Sequence, residues 1–209
     1  MSCPEIRLSL GRHPGEGAVP GLAAVVVASL GILTWKQVQA WHDSEALWTQ
    51  AVRAAPDSSI AHYSLGVILS SRGKLKEAIE HYRRAVQINP GYVDAYNNLG
   101  SALVRQGKLE EGIGRYRQAL RIAPGYRQAH NNLGIALADS GQLPEAIEHY
   151  RQALRIDPDF KQAHYNLGNA LVQQGELAEA MEHYRQALRI DPDFKQAHDQ
   201  LDLLLSKKK

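Results

Sequence analysis

The chain has 209 residues, 44% hydrophobic and 22% charged, an ordinary globular composition that excludes disorder over its whole length. One cysteine, Cys3, excludes an internal disulfide framework or a cysteine-rich zinc module. Twenty-four Lys plus Arg against 22 Asp plus Glu leave a formal +2, too little for field-driven attraction to nucleic acid, and a mean hydropathy of −0.37 excludes a polytopic membrane protein.

After a polar segment at 1–16, the 19 residues at 17–35, GAVPGLAAVVVASLGILTW, carry no charge. As a helix they would reach about 28 Å, close to the ~30 Å apolar core of a bilayer. Trp35 and Trp41 lie where interfacial aromatics belong. The spacing predicts a transmembrane or signal-anchor helix within 17–40. Two other readings stay open: a buried first helix of the downstream array, or a cleaved signal peptide ending at VQA, 38–40. Arg7 and Arg12 precede the stretch and Lys36 closely follows it. That asymmetry favours an extracytoplasmic, periplasmic or lumenal, position for the rest of the chain, with a soluble cytoplasmic protein as the alternative.

Beyond it the chain repeats. Pro56, Pro90, Pro124, Pro158 and Pro192 are spaced 34 residues apart, and between them YSLG, NNLG, NNLG and YNLG recur, each followed by a glycine and then by HYRRAV, RYRQAL, HYRQAL and HYRQAL. Four units result, 59–92, 93–126, 127–160 and 161–194. A half unit at 44–58 precedes them with Trp48 in the aromatic slot. A capping helix at 195–206, where Asp202 replaces the recurrent glycine, and a Lys tail at 207–209 close the chain. In the third unit His130, Leu133, Gly134 and Leu137 share one helical face, and Ala146, Ile147, Tyr150, Ala153 and Leu154 form the stripe of a second helix. Gly141 can take the positive φ of the intervening turn. Asp157 and Pro158 end the second helix, because the residue before proline is pushed out of the helical region. One such pair buries too little surface alone, so units must stack into an all-α solenoid. In the second unit Gly112 and Gly114 fall inside a helix, each costing about 1 kcal/mol against Ala, so that helix should open before its neighbours.

On these motifs the chain is identified as a member of the tetratricopeptide repeat family, whose signature has the same period, L-G pair, small residue, aromatic and closing proline. The resemblance implies a right-handed superhelix of helix-turn-helix units. The text WHDSEALWTQAVRAAPDSSIAHYSLG, after an apolar stretch, also resembles the junction in transmembrane, repeat-containing O-mannosyltransferase-type proteins. There a multi-span catalytic half precedes the repeats. This sequence contains no multi-span region, so the resemblance implies a last membrane helix plus a repeat arm, with a glycosyltransferase as candidate partner.

Catalysis by this chain alone is not expected, nor is a cofactor or metal. His62, His130, His164 and His198 recur at one position and His81, His149 and His183 at another, the pattern of packing residues rather than of a catalytic set. Asp157, Asp159, Asp191 and Asp193 flank prolines and read as turn and cap residues. The candidate site is a row of amides. Asn98, Asn132 and Asn166 recur just before the core leucine, with Ser64 and Gln200 at the ends of the row. The row resembles the asparagine ladder of the O-GlcNAc transferase repeats, which holds an extended peptide backbone. An amide offers donor and acceptor together, matching a peptide group. Asn97, Asn131 and Tyr165 one residue earlier, with Asn169 and Arg105 nearby, complete a polar, mostly uncharged groove for a protein or extended peptide. The same asparagines could instead tie adjacent first helices together. At ~1 kcal/mol per hydrogen bond, three such contacts alone give roughly millimolar affinity, so side-chain pockets or tethering must add to them.

Overall fold

The computed structural model describes residues 44–207. The chain divides into units 1–47 and 48–209, and the apolar stretch at 17–40, with residues 1–16, lies outside the described residues. Among those described, no helix is long and apolar enough to cross a membrane.

Ten helices are present among the described residues: α1 Ser44–Ala54, α2 Ser59–Ser71, α3 Leu75–Ile88, α4 Val93–Arg105, α5 Leu109–Ile122, α6 Arg127–Asp139, α7 Leu143–Ile156, α8 Lys161–Gln174, α9 Leu177–Ile190 and α10 Lys195–Lys207. Within each 34-residue unit the turn between first and second helix is made by Gly73, Gly107, Gly141 or Gly175 at φ between 78° and 85°, a region closed to most side chains. Each second helix ends on an extended residue before proline, Asn89, Ala123, Asp157 or Asp191. The Asn89, Asp157 and Asp191 side chains then accept from the backbone N–H two residues on, at 3.0–3.1 Å. From α2 onward contacts run between successive helices and between the first helices of adjoining units, the one-dimensional order of a solenoid.

The joint within a unit is a tyrosine ring seated on a glycine. A Cβ at Gly66, Gly100, Gly134 or Gly168 would stand 2.6–2.7 Å from the ring of Tyr82, Tyr116, Tyr150 or Tyr184, so only glycine admits the second helix that close. Burial of these rings, of the small Ala78, Ala146 and Ala180 and of the leucines Leu99, Leu133 and Leu167 makes the core. It falls into two clusters, Leu65 to Ala129 and Ile113 to Leu204, which interleave at α5: Ala119 belongs to the first, Ile113 and Tyr116 to the second, and Leu120 touches both. Before them Trp48 and Val52 of α1 pack partly buried against the first cluster.

At the far end α10 carries leucines on more than one face. Ala197 and Leu204 of α10 are buried, but Leu203 and Leu205 are 46% and 41% exposed. Three successive leucines cannot all face one neighbour on a helix.

The two glycines of α5 play different parts. Gly112 is buried, and a Cβ there would meet Val104 Cγ2 at 2.5 Å and the Gly100 carbonyl oxygen at 2.9 Å, whereas a Cβ at Gly114 meets nothing within 4 Å. Gly114→Ala is therefore expected to stabilise the array by about 0.5–1 kcal/mol. Gly112→Ala should show no such gain, because overpacking offsets the propensity. Urea unfolding checks the pair, and equal gains at both sites would contradict this packing. Hydrogen exchange in the wild type should find α5 the first of α4–α7 to open.

Candidate functional site

The first helices present one face built on i, i+3, i+7 spacing: Asn98, Ser101 and Arg105 on α4, Asn132, Ile135 and Asp139 on α6, Asn166, Asn169 and Gln173 on α8. Asn98, Asn132 and Asn166 are half-buried in this row, while Asn97 and Asn131 are only 7% and 6% exposed and lie behind it. Asn132 Nδ2 donates to Asn97 Oδ1 at 3.0 Å and Asn166 Nδ2 to Asn131 Oδ1 at 2.9 Å. Asn97 Nδ2 in turn donates to Asn98 Oδ1 at 3.2 Å, and Asn98 Nδ2 to Tyr63 Oη at 3.1 Å. Each asparagine of the row thus ties its helix to the preceding unit with one N–H. In Asn132 and Asn166 the second N–H and Oδ1 have no hydrogen-bond partner among the described residues, so both a donor and an acceptor remain for a ligand.

The other predicted positions divide. Asn169 Oδ1 accepts from Tyr184 Oη at 2.8 Å; burial pushes that phenol up to about 12, so it stays a donor. Tyr165 packs its ring 5.3 Å from that of Phe194. Arg105 stands apart, exposed, with Nη1 donating to Ser70 Oγ at 3.0 Å. Between α6 and α8 a small pocket of about 160 Å³ is lined by Ile135, Asp139, Asn166, Asn169 and Gln173 together with Tyr150. Ile135, 37% exposed, is an apolar contact in this groove that a pattern of recurring polar residues does not reveal.

The histidines pair within a unit. His62, His130 and His164 each hold the proline carbonyl at the unit boundary through Nε2 at 2.9–3.0 Å. Their Nδ1 atoms meet Nδ1 of His81, His149 and His183 at 2.9–3.0 Å. A carbonyl only accepts, so Nε2 carries the hydrogen, the neutral ring accepts at Nδ1, and the second histidine donates. Burial, and next the facing histidine, push His81, His149 and His183 below the usual 6.5, partly opposed by Glu77 and Glu80, Glu145 and Glu148, and Glu179 and Glu182 respectively. Burial likewise lowers His164. The fold favours the neutral rings, so their contribution to stability is complete above pH ~6.5 and is lost as pH falls through and below it. The melting temperature should fall between pH 7 and pH 5. Replacing His81, His149 and His183 together by Gln should flatten that slope, and a wild type already flat across the window would contradict it.

On the second-helix side an ion-pair ladder crosses the units. Arg83, Arg117 and Arg151 reach Glu111, Glu145 and Glu179 at 3.2, 2.9 and 3.0 Å. Half-exposed pairs of this kind contribute little each.

Family models described as TPR repeat match residues 68–107, 100–141 and 134–175, and one described as Tetratricopeptide repeat matches 162–194. Protein O-mannosyl-transferase TMTC1 of Mus musculus is 34% identical over 77 residues, covering 35% of the chain and 8% of that protein. Its Homo sapiens counterpart is 32% identical over 76 residues, 34% of the chain and 9% of that protein. The chain therefore matches less than a tenth of the length of these relatives. Among solved structures, MamA is similar at 26% identity with a TM-score of 0.64, covering 69% of this chain and 85% of that one. YrrB, described as a TPR protein with an unusual peptide-binding site, is similar at 23% identity with a TM-score of 0.62, covering 93% of both chains.

Proposed function

The chain belongs to the tetratricopeptide repeat family, and on that premise we propose that its four units, 59–92, 93–126, 127–160 and 161–194, with the cap at 195–206, form a non-catalytic module that holds an extended polypeptide along the first-helix face. The observation that carries this reading is the asparagine row. Asn132 and Asn166 are fixed by one N–H each to Asn97 and Asn131 and keep a second N–H and a carbonyl oxygen for a peptide backbone. Fixing a side chain before the ligand arrives reduces the entropy lost on binding. Asn98, Tyr165, Asn169 and Arg105 extend the polar surface, and Ile135 supplies the apolar contact that backbone hydrogen bonds alone lack. The peptide-binding description of YrrB is consistent with such a use of the fold.

The apolar stretch at 17–35 tethers the module to a membrane, with the repeats on its extracytoplasmic side. A second reading, favoured by the TMTC1 match over 77 residues, makes the module the substrate-presenting arm of a glycosyltransferase.

The experiment is selection of linear peptides from a displayed library on the purified chain, with affinity then measured on variants. Ile135→Arg should weaken the selected peptide at least tenfold while leaving thermal unfolding unchanged, because Ile135 is exposed and outside the amide ties. Unchanged affinity would sink the groove. Carbonate extraction tests the tether separately: the chain should stay with the membrane pellet, and release into the supernatant would exclude spanning.

A further inference from the structure

The geometry points to a second binding site, on the second-helix side between α5, α6 and α7, for an acidic peptide segment carrying one large apolar side chain. The open pocket there has a volume of about 640 Å³ and is lined by Leu120, Pro124 and Leu133, with Arg117, Arg121 and His149 among its polar groups. One unit further on the same positions recur as Leu154, Pro158, Leu167, Arg151, Arg155 and His183 around a pocket of about 540 Å³.

The two differ at one informative position. Glu148 lines the second pocket, and Gly114 takes its place in the first. Glu148 Oε1 lies 2.5 Å from Arg155 Nη2 and neutralises it. Arg121, the counterpart of Arg155, donates only to the neutral side-chain oxygen of Gln118. Arg117 is matched by Glu145 at 2.9 Å. The first pocket thus holds a guanidinium without a carboxylate partner among the described residues, beside an apolar lining. Glu80, Glu148 and Glu182 stand at this position in the other three units. Packing does not explain the glycine, since a Cβ there would enter open space. Its effect is to widen the pocket and to remove the acid that would repel a carboxylate.

A ligand carboxylate can therefore pair with Arg121 by charge-assisted hydrogen bonds, while its apolar side chain displaces water from the half-buried Leu120 and the exposed Pro124. This site is independent of the amide row, which lies on the first helices.

Fluorescence anisotropy of the full chain with a labelled peptide holding one tryptophan between two glutamates tests it, with the lysine-flanked analogue as control. The glutamate peptide should bind at least tenfold more tightly than the lysine analogue. Arg121→Glu should abolish that preference. Gly114→Glu, which restores the residue of the other units and a better helix former, should weaken binding at least tenfold without lowering the melting temperature. Arg155→Glu in the neighbouring pocket should change affinity less than twofold. Equal binding of the two peptides, or an unchanged affinity in Gly114→Glu, would overturn the site. Displacement by a peptide selected on the asparagine row would place the binding on the other face and overturn it too, and displacement by equimolar decanoate would overturn the assignment to a peptide.

Discussion

Tyr150→Ala is expected to destabilise the array by about 3–5 kcal/mol, the range for removing a large aromatic from a packed core. The ring is 3% exposed and belongs to the cluster that runs from Ile113 to Leu204. Because the other cluster, from Leu65 to Ala129, meets this one between the end of α4 and the start of α6, the loss should fall on the C-terminal part. Urea unfolding monitored by circular dichroism should then split into two transitions, with α6–α10 melting first, as nearest-neighbour coupling allows. The glycine beneath the ring supplies an internal control. A Cβ at Gly134 would stand 2.6 Å from Tyr150 Cε1, so Gly134→Ala alone should destabilise by about 1–2 kcal/mol. In the Tyr150→Ala background the same change should stabilise, since the ring is gone and only the helix preference of Ala over Gly, about 1 kcal/mol, remains. Simple additivity of the two substitutions would contradict the seating of ring on glycine.

Asn132→Ala carries the second-largest expected effect, about 1–3 kcal/mol. The methyl group deletes a donor and leaves Asn97 Oδ1, on a residue only 7% exposed, without the bond it accepts at 3.0 Å, and an orphaned buried polar atom costs its full desolvation. Asn97→Ala should cost a similar amount, because Asn132 loses its acceptor and Asn98 the N–H at 3.2 Å. The double variant should cost clearly less than the sum, with a coupling energy of at least 0.5 kcal/mol. Thermal unfolding of the four members of the cycle measures it. The same chemistry makes Ile135→Arg, rather than alanine at the asparagines, the informative variant for binding: the asparagines serve the fold as well as the groove.

Most of the repeat was legible because it is written in residue types with one backbone consequence. Proline at 34-residue spacing set the helix ends, and glycines such as Gly141, at φ 80°, set the turns. The Leu-Gly pairs and the recurrent Tyr marked the packing faces of the two helices, though not that the ring seats on the glycine. What was not legible depends on distances between units. Asn97 and Asn98 are adjacent and chemically identical in sequence, yet one is buried and the other half-buried, because the neighbouring helix covers only one of them. The partners Asn97 and Asn132 are 35 residues apart, one more than the repeat, an offset set by how the units stack.

The histidine pairs do leave a signal in the sequence. Units with His at 62, 130 and 164 also have His at 81, 149 and 183, and the unit with Tyr96 has Arg115 instead. Joint presence and joint absence point to contact. Repetition taken alone suggests only a common packing role. The leucines of α10 show the opposite case: Asp202 marked where the array ends, but substitution of the recurrent glycine says nothing of the residues after it, and Leu203 and Leu205 are exposed.

The central claim is that the amide row on the first helices grips a peptide backbone with groups already fixed by inter-unit bonds. Its most direct test is nuclear magnetic resonance of the side-chain amide signals of the ¹⁵N-labelled chain, titrated with a peptide selected on it. The Nδ2 signals of Asn98, Asn132 and Asn166 should shift together and saturate at one peptide concentration, while the Nε signals of Arg117 and Arg151 on the opposite helices stay in place. Perturbation confined to the second-helix arginines, with the three asparagine amides unmoved at saturation, would contradict it.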